Sequence, residues 1–127
     1  VDILKQAERG ELNTHRGQFR PWGYYEILGS GPGFLVKHLT LKPGAKISLQ
    51  KHHLRAEHWI VTSGTAHVLC NGEDFRLGES ESTFIPSGAV HRLENTSSRP
   101  ISIIEVQTGG ELREDDIERL EDAYQRI

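Results

Sequence analysis

Short apolar or alternating runs recur along most of this chain, each cut off by glycine, proline, asparagine or serine. The runs are "YYEIL", "FLVKHLTL", "KISLQ", "EHWIV", "AHVLC", "DFRL", "STFIP", "VHRLEN" and "ISIIEVQ". Between them stand "GSGPG", "KPGA", "TSG", "NGE", "LGES", "PSG" and "NTSSRP". A rhythm of short strands and turn residues predicts an all-β barrel or sandwich. Asn71-Gly72, set between "AHVLC" and "EDFRL", is the strongest hairpin signal.

The two ends depart from this texture. "DILKQAER", residues 2–9, predicts a short helix capped by Asp2 and stopped by Gly10. After Gly109-Gly110, the segment "ELREDDIERLEDAYQRI" sets Ile117, Leu120, Tyr124 and Ile127 on one helical stripe, with Asp115 and Asp116 suited to its N-terminal end. The expected organisation is an extension over 1–19, a barrel over 20–110, and a C-terminal helix over 111–127 packed on the barrel.

Side chains two apart on a strand share a face. In "FLVKHLTL" that puts Lys37 with Leu35, Leu39 and Leu41. In "ISIIEVQ" it puts Glu105 and Gln107 with Ile101 and Ile103. A lysine, a glutamate and a glutamine on an inner face are costly to bury unless paired or used.

Composition narrows the class. A chain of 127 residues, 35% hydrophobic and 26% charged, fits one globular domain. The net charge of −3 gives no footing for nucleic acid. No apolar run has the length of a membrane span, and the opening "VDILKQAERG" lacks a signal-peptide pattern. The single Cys70 excludes an internal disulfide and fits a reducing compartment, so a cytoplasmic location is expected. The chain starts at Val1 and holds no methionine, which leaves a longer parent polypeptide open.

The stretch "QKHHLRAEH" carries three histidines and a glutamate just before an apolar strand. A pair of adjacent histidines before a strand is ordinarily a solvated turn. The second segment, "PSGAVHRLEN", changes the balance. Gln50 and His52 point the same way from one strand, Glu57 follows a short loop, and His91 lies in the later segment. If these strands are neighbours, two imidazoles, one carboxylate and one amide oxygen meet. That set suits a borderline divalent ion such as zinc, manganese or iron. His53, His58 and His67 carry no comparable signal, and Cys70 reads as core rather than nucleophile.

Both segments resemble the two motifs of the cupin superfamily. The first is Gly, His-x-His, Glu, Gly, with Gln50 in the place of the first histidine. The second, Pro-x-Gly-x-x-His-x-x-x-Asn, is fully present as Pro86, Gly88, His91 and Asn95. The resemblance implies a double-stranded β-helix, or jelly-roll barrel. Closer still, "RPWGYYE", "VKHLTLKPGAKISLQKHH", "RAEHWIVTSGTA", "FIPSGAVHRLEN", "ISIIEVQTG" and "EDDIERLEDAYQR" resemble the C-terminal cupin domain of type II mannose-6-phosphate isomerases. That domain is often fused to a mannose-1-phosphate guanylyltransferase, and no stretch of these residues resembles the guanylyltransferase half. The family usually ends Tyr-Gly-Arg, where Tyr124, Gln125 and Arg126 stand here.

The resemblance implies Gln50, His52, Glu57 and His91 as metal ligands, with zinc expected and manganese, iron, cobalt or nickel as alternatives. It implies interconversion of mannose 6-phosphate and fructose 6-phosphate through an enediol. Such chemistry needs a Lewis acid, a base and cations for the phosphate. Glu105 is the preferred base, and Lys37 and Arg55 are the other catalytic candidates. Arg20, Lys37, Arg55, Arg92 and Gln107 are the substrate-binding candidates. For the arginines, surface ion pairing is the plain alternative. Two further readings stay open: a non-catalytic sugar-phosphate or nucleotide-sugar binding barrel, and another metal-dependent small-molecule enzyme of this fold. The expected partners are a small phosphorylated sugar and, through exposed edge strands and the outer face of the helix, a second copy in a homodimer.

Overall fold

The computed structural model describes residues 17–122. Eleven strands run in order: β1 (Gly17–Arg20), β2 (Gly23–Gly31), β3 (Phe34–Leu41), β4 (Leu49–Lys51), β5 (Ala56–Ser63), β6 (Ala66–Cys70), β7 (Glu73–Leu77), β8 (Ser82–Ile85), β9 (His91–Glu94), β10 (Ile101–Thr108) and β11 (Glu118–Glu121). They form a six-stranded sheet, β1-β2-β3-β10-β5-β8, and a five-stranded sheet, β11-β4-β9-β6-β7. Every pairing is antiparallel. Buried side chains from both sheets join in one core, as in a jelly roll.

Local chemistry explains the turns that set this order. Asn71 and Gly72 have φ of 49° and 84°, the paired positive values of a type I′ turn, and they join β6 to β7 with Cys70 opposite Glu73. Asn71 also ties that turn to β9: its Oδ1 accepts from the Val90 amide at 3.0 Å.

Burial follows the alternation. Along β10 every second residue is buried: Ile101, Ile103, Glu105 and Gln107. Lys37, Leu39 and Leu41 are buried on β3, and Glu57, Trp59 and Val61 on β5. Register then sorts the interior into two halves. Leu41 and Leu39 lie opposite Ile101 and Ile103, and Val61 lies opposite Ile103 from the other side. One step along, Lys37 and Trp59 flank Glu105, and Glu57 flanks Gln107. The apolar half contains Leu41, Val61, Val68, Ile101 and Ile103, all fully buried. Each contributes about 1.5–3 kcal/mol by leaving water.

The C-terminal segment differs from expectation. Residues 111–122 contain no helix; Glu118–Glu121 forms β11 and pairs with β4. Asp116 supplies the physical reason. Its carboxylate accepts the His53 and Leu54 amides, each at 2.9 Å, so it anchors the segment to the loop after β4 instead of capping a helix. Its backbone oxygen is also committed, to the His52 ring. Within "ERLE" the backbone takes the ladder bonds that β4 offers. Ile117, expected on the outer face of a helix, lines the interior cavity. The helix expected over 2–9 and the positions Tyr124 and Ile127 lie outside the described residues.

Candidate metal centre

The site occupies the polar half of the interior. Gln50 on β4 lies directly opposite His91 at the start of β9. His52 follows β4 by one residue, and Glu57 is the second residue of β5. All four are buried. Ligand atoms of His52, Glu57 and His91 lie within 4.8 Å of one another. The His52 and His91 ring centroids are 5.2 Å apart.

Backbone carbonyls fix both imidazoles. His52 Nδ1 stands 2.6 Å from the Asp116 oxygen, and His91 Nδ1 stands 2.9 Å from the Ala89 oxygen. A carbonyl can only accept, so each Nδ1 carries the proton and each Nε2 presents its lone pair. His91 Nε2 is buried with no protein hydrogen-bond partner among the described residues. Burial lowers the pKa of His91, and that of His52 falls from 6.5 to about 4 through burial first and the Arg55 charge second. Both rings are therefore neutral at pH 7, the form that binds metals.

Glu57 is held on both oxygens. Trp59 Nε1 donates to Oε1 at 2.9 Å, and Arg55 Nε donates to Oε2 at 2.9 Å. Arg55 also approaches His52 Nε2 at 3.1 Å. The loop carrying Arg55 lies tight against Gly109, where an added Cβ would come within 2.4 Å of the Leu54 oxygen. Two neutral imidazoles with outward-held Nδ1 protons, one orphaned Nε2 and a buried carboxylate fit a divalent cation.

Beside these groups opens a cavity of about 120 Å3, lined among others by Arg20, Tyr25, Lys37, Ser48, Arg55 and Glu105. Lys37 Nζ meets Glu114 Oε2 at 3.1 Å and lies 4.3 Å from the centre of the Tyr25 ring. Arg20 also lies over this ring, its Cζ 5.1 Å from the centre. Glu105 is buried, and Gln107 Nε2 donates to its Oε2 at 2.7 Å. Burial raises the Glu105 pKa, and the nearby Glu57 charge adds to the rise.

The cavity thus gathers Arg20, Lys37, Arg55 and Glu105 beside Gln50 and His52. Gln107 touches Glu105 rather than the cavity. Arg92 does not join them. On β9 it has the parity opposite to His91, and its Nη1 pairs with Glu121 at 2.8 Å on the outer side. Sequence reasoning missed Ser48, Glu114 and Asp116. Ser48 shares the parity of Gln50 and His52, a signal that was present in the sequence. Glu114 and Asp116 reach the site only because the C-terminal segment folds back as β11.

Residues 7–122 match the family described as mannose-6-phosphate isomerase C-terminal. Alginate biosynthesis protein AlgA of Pseudomonas aeruginosa is 57% identical over 126 residues, covering 99% of this chain and 26% of that protein. Xanthan biosynthesis protein XanB of Xanthomonas campestris is 52% identical, covering 99% of this chain and 27% of its own. Mannose-1-phosphate guanylyltransferase ManC of Salmonella typhimurium is 49% identical, covering 100% and 26%. The chain spans about a quarter of the length of these curated relatives. Among solved structures, capsular polysaccharide assembling protein CapF of Staphylococcus aureus superposes with a TM-score of 0.74 at 20% identity, over 83% of this chain and 34% of that one. A sugar phosphate isomerase of the cupin superfamily from Silicibacter pomeroyi gives a TM-score of 0.61 at 25% identity, over 67% and 58%. The fold is a cupin barrel, and the chain belongs to the mannose-6-phosphate isomerase C-terminal family.

Proposed function

We propose that this chain is a metal-dependent aldose–ketose isomerase that interconverts mannose 6-phosphate and fructose 6-phosphate. One observation carries the reading. A buried cluster of His52, Glu57 and His91 stands beside a cavity into which Gln50, His52 and the buried Glu105 face together with Arg20, Lys37 and Arg55, cations suited to a phosphate. Membership of the family supports it.

Gln50, His52, Glu57 and His91 would hold the ion, and zinc is the ion we propose. When bound, it supplies Lewis acidity to the carbonyl and hydroxyl oxygens at the reacting carbons. The remaining work falls to the protein. The isomerisation takes a proton from C2, passes through an enediol and returns a proton to C1. Glu105 carries that proton. Its raised pKa makes the ionised carboxylate a stronger base than an exposed glutamate. Gln107 orients that carboxylate through its 2.7 Å hydrogen bond. Lys37 and Arg20 meet the phosphate, both steered by the Tyr25 ring. Arg55 lies against Glu57 and His52, close enough to contact a substrate oxygen beside the ligands. The enzyme acts in the cytoplasm as a homodimer built through exposed edge strands.

The test is a coupled assay for fructose 6-phosphate made from mannose 6-phosphate, with metal analysis of the same sample. Chelation abolishes turnover and zinc restores it. A chain that binds mannose 6-phosphate without turning it over defeats the isomerase assignment.

A further inference from the structure

Ser48 sits just before β4 and continues its inward row. Ser48, Gln50 and His52 are 2%, 8% and 3% exposed, whereas Leu49 and Lys51 between them are half-buried. Ser48 lines the cavity, and its Oγ is buried with no protein hydrogen-bond partner among the described residues. Native proteins seldom leave a buried hydroxyl in that condition without a use for it. Two residues of strand cover about 6.6 Å. Ser48 therefore lies about that far from Gln50, away from His52 and along the cavity. A sugar bound with its first two carbons beside the ligands and extended along the cavity would bring its middle carbons to this hydroxyl.

We propose that Ser48 is a specificity-determining residue whose Oγ hydrogen-bonds the C3 or C4 hydroxyl of the sugar chain. The inference rests on the isomerase reading above and adds a contact that reading does not need. Ser48 offers one proton and two acceptor lone pairs, so it can meet a sugar hydroxyl as donor or as acceptor; in the proposed reaction the cations hold the phosphate. A site built to bond a hydroxyl discriminates against an analogue that lacks it, because its own polar group is then left unsatisfied. The Ser48 Oγ bonds no protein group among the described residues, so its removal breaks no hydrogen bond there.

The experiment is calorimetric titration of the zinc-loaded chain and its Ser48→Ala variant with mannose 6-phosphate and with its 3-deoxy and 4-deoxy analogues. The variant should bind mannose 6-phosphate about tenfold more weakly, the worth of one hydrogen bond. With one of the two deoxy analogues, wild type and variant should bind equally. The melting temperature of the variant should match or exceed that of wild type. An equal loss for all three ligands, or a fall of several degrees in melting temperature, overturns the inference and assigns Ser48 a structural role. Wild type that binds without turnover removes the isomerase reading yet leaves the Ser48 comparison decided by the same titrations. Wild type that fails to bind mannose 6-phosphate removes both.

Discussion

The two halves of the barrel interior are made by the same strands and obey opposite rules. On β10, Ile101 and Ile103 face only apolar neighbours, and Glu105 and Gln107, on the same face, meet Lys37, Trp59 and Glu57. The apolar half holds the sheets together. In the polar half, buried charge is kept at a cost in desolvation, offset by Lys37, Gln107 and Arg55. The comparison teaches that stability and chemistry are separable here along a single strand. Substitutions at the two ends should therefore move different measurements.

His91→Gln and Ile103→Ala break the comparison from its two sides. His91→Gln keeps most of the bulk and removes the orphaned Nε2. Its kcat/KM should fall on the order of 10³-fold or more, about 4 kcal/mol in the barrier, with loss of bound metal. The metal-free variant should unfold within about 1.5 kcal/mol of the metal-free parent, because Nε2 bonds no protein group among the described residues and the Nδ1 bond to the Ala89 oxygen is the one hydrogen bond lost there. Ile103→Ala should do the reverse. Deleting a fully buried branched side chain costs about 2–5 kcal/mol. Bound metal and the rate below the melting transition should stay near those of the parent. Urea unfolding and metal analysis on both variants check the pair; a His91→Gln chain with full metal content contradicts the division.

The polar half should also make the metal-free chain sensitive to acid. In the folded state His52 titrates near 4 instead of 6.5, through burial and the Arg55 charge, and His91 shifts the same way through burial. Each histidine binds its proton more readily when unfolded. Stability is thus fully present above about pH 6.5 and drains away as pH falls toward 4. The His52 share is on the order of 3 kcal/mol once complete. Glu105 acts with the opposite sign, since its raised pKa favours the folded state over the acidic part of that window. The net slope is the balance of these opposed shifts, so the His52 share is read as a difference between parent and variant. Going from pH 7 to pH 5, the urea midpoint of the chelated chain should lose more, or gain less, in the parent than in His52→Gln.

Much of this contrast is legible in the sequence. Alternation sends Lys37, Glu105 and Gln107 inward together with Leu39 and Ile103, and it fixed the strands because one buried face specifies register. Parity also sends Arg92 outward once His91 points in, and it puts Ser48 in line with Gln50 and His52. The last segment was not legible. "DDIERLEDAYQRI" fits a helical stripe on its own residues. Its strand arises from partners distant in sequence: the His53 and Leu54 amides that Asp116 accepts, and the open edge of β4. Local pattern cannot register a competition that tertiary contacts decide. Glu114 was invisible for the same reason.

Glu114 gives the mildest and sharpest probe of the polar half. Its carboxylate sits on Lys37 at 3.1 Å, at the rim of the cavity, with its side chain 65% exposed. Partial burial pushes its carboxyl up, but Lys37, with Arg55 and Arg20 farther off, outweighs that and holds it below the ordinary value. In the proposed reaction an incoming phosphate seeks the same lysine. The substrate then has to displace an anion already in place. Lys37 is buried but Glu114 lies in solvent, and a pair screened from one side is worth about 1 kcal/mol. Glu114→Gln should therefore lower the KM for mannose 6-phosphate by at most about fivefold, with kcat unchanged. The effect should shrink as salt is raised, since the competition is between charges. A KM that rises instead would mean that Glu114 holds Lys37 ready for the phosphate and does not compete with it.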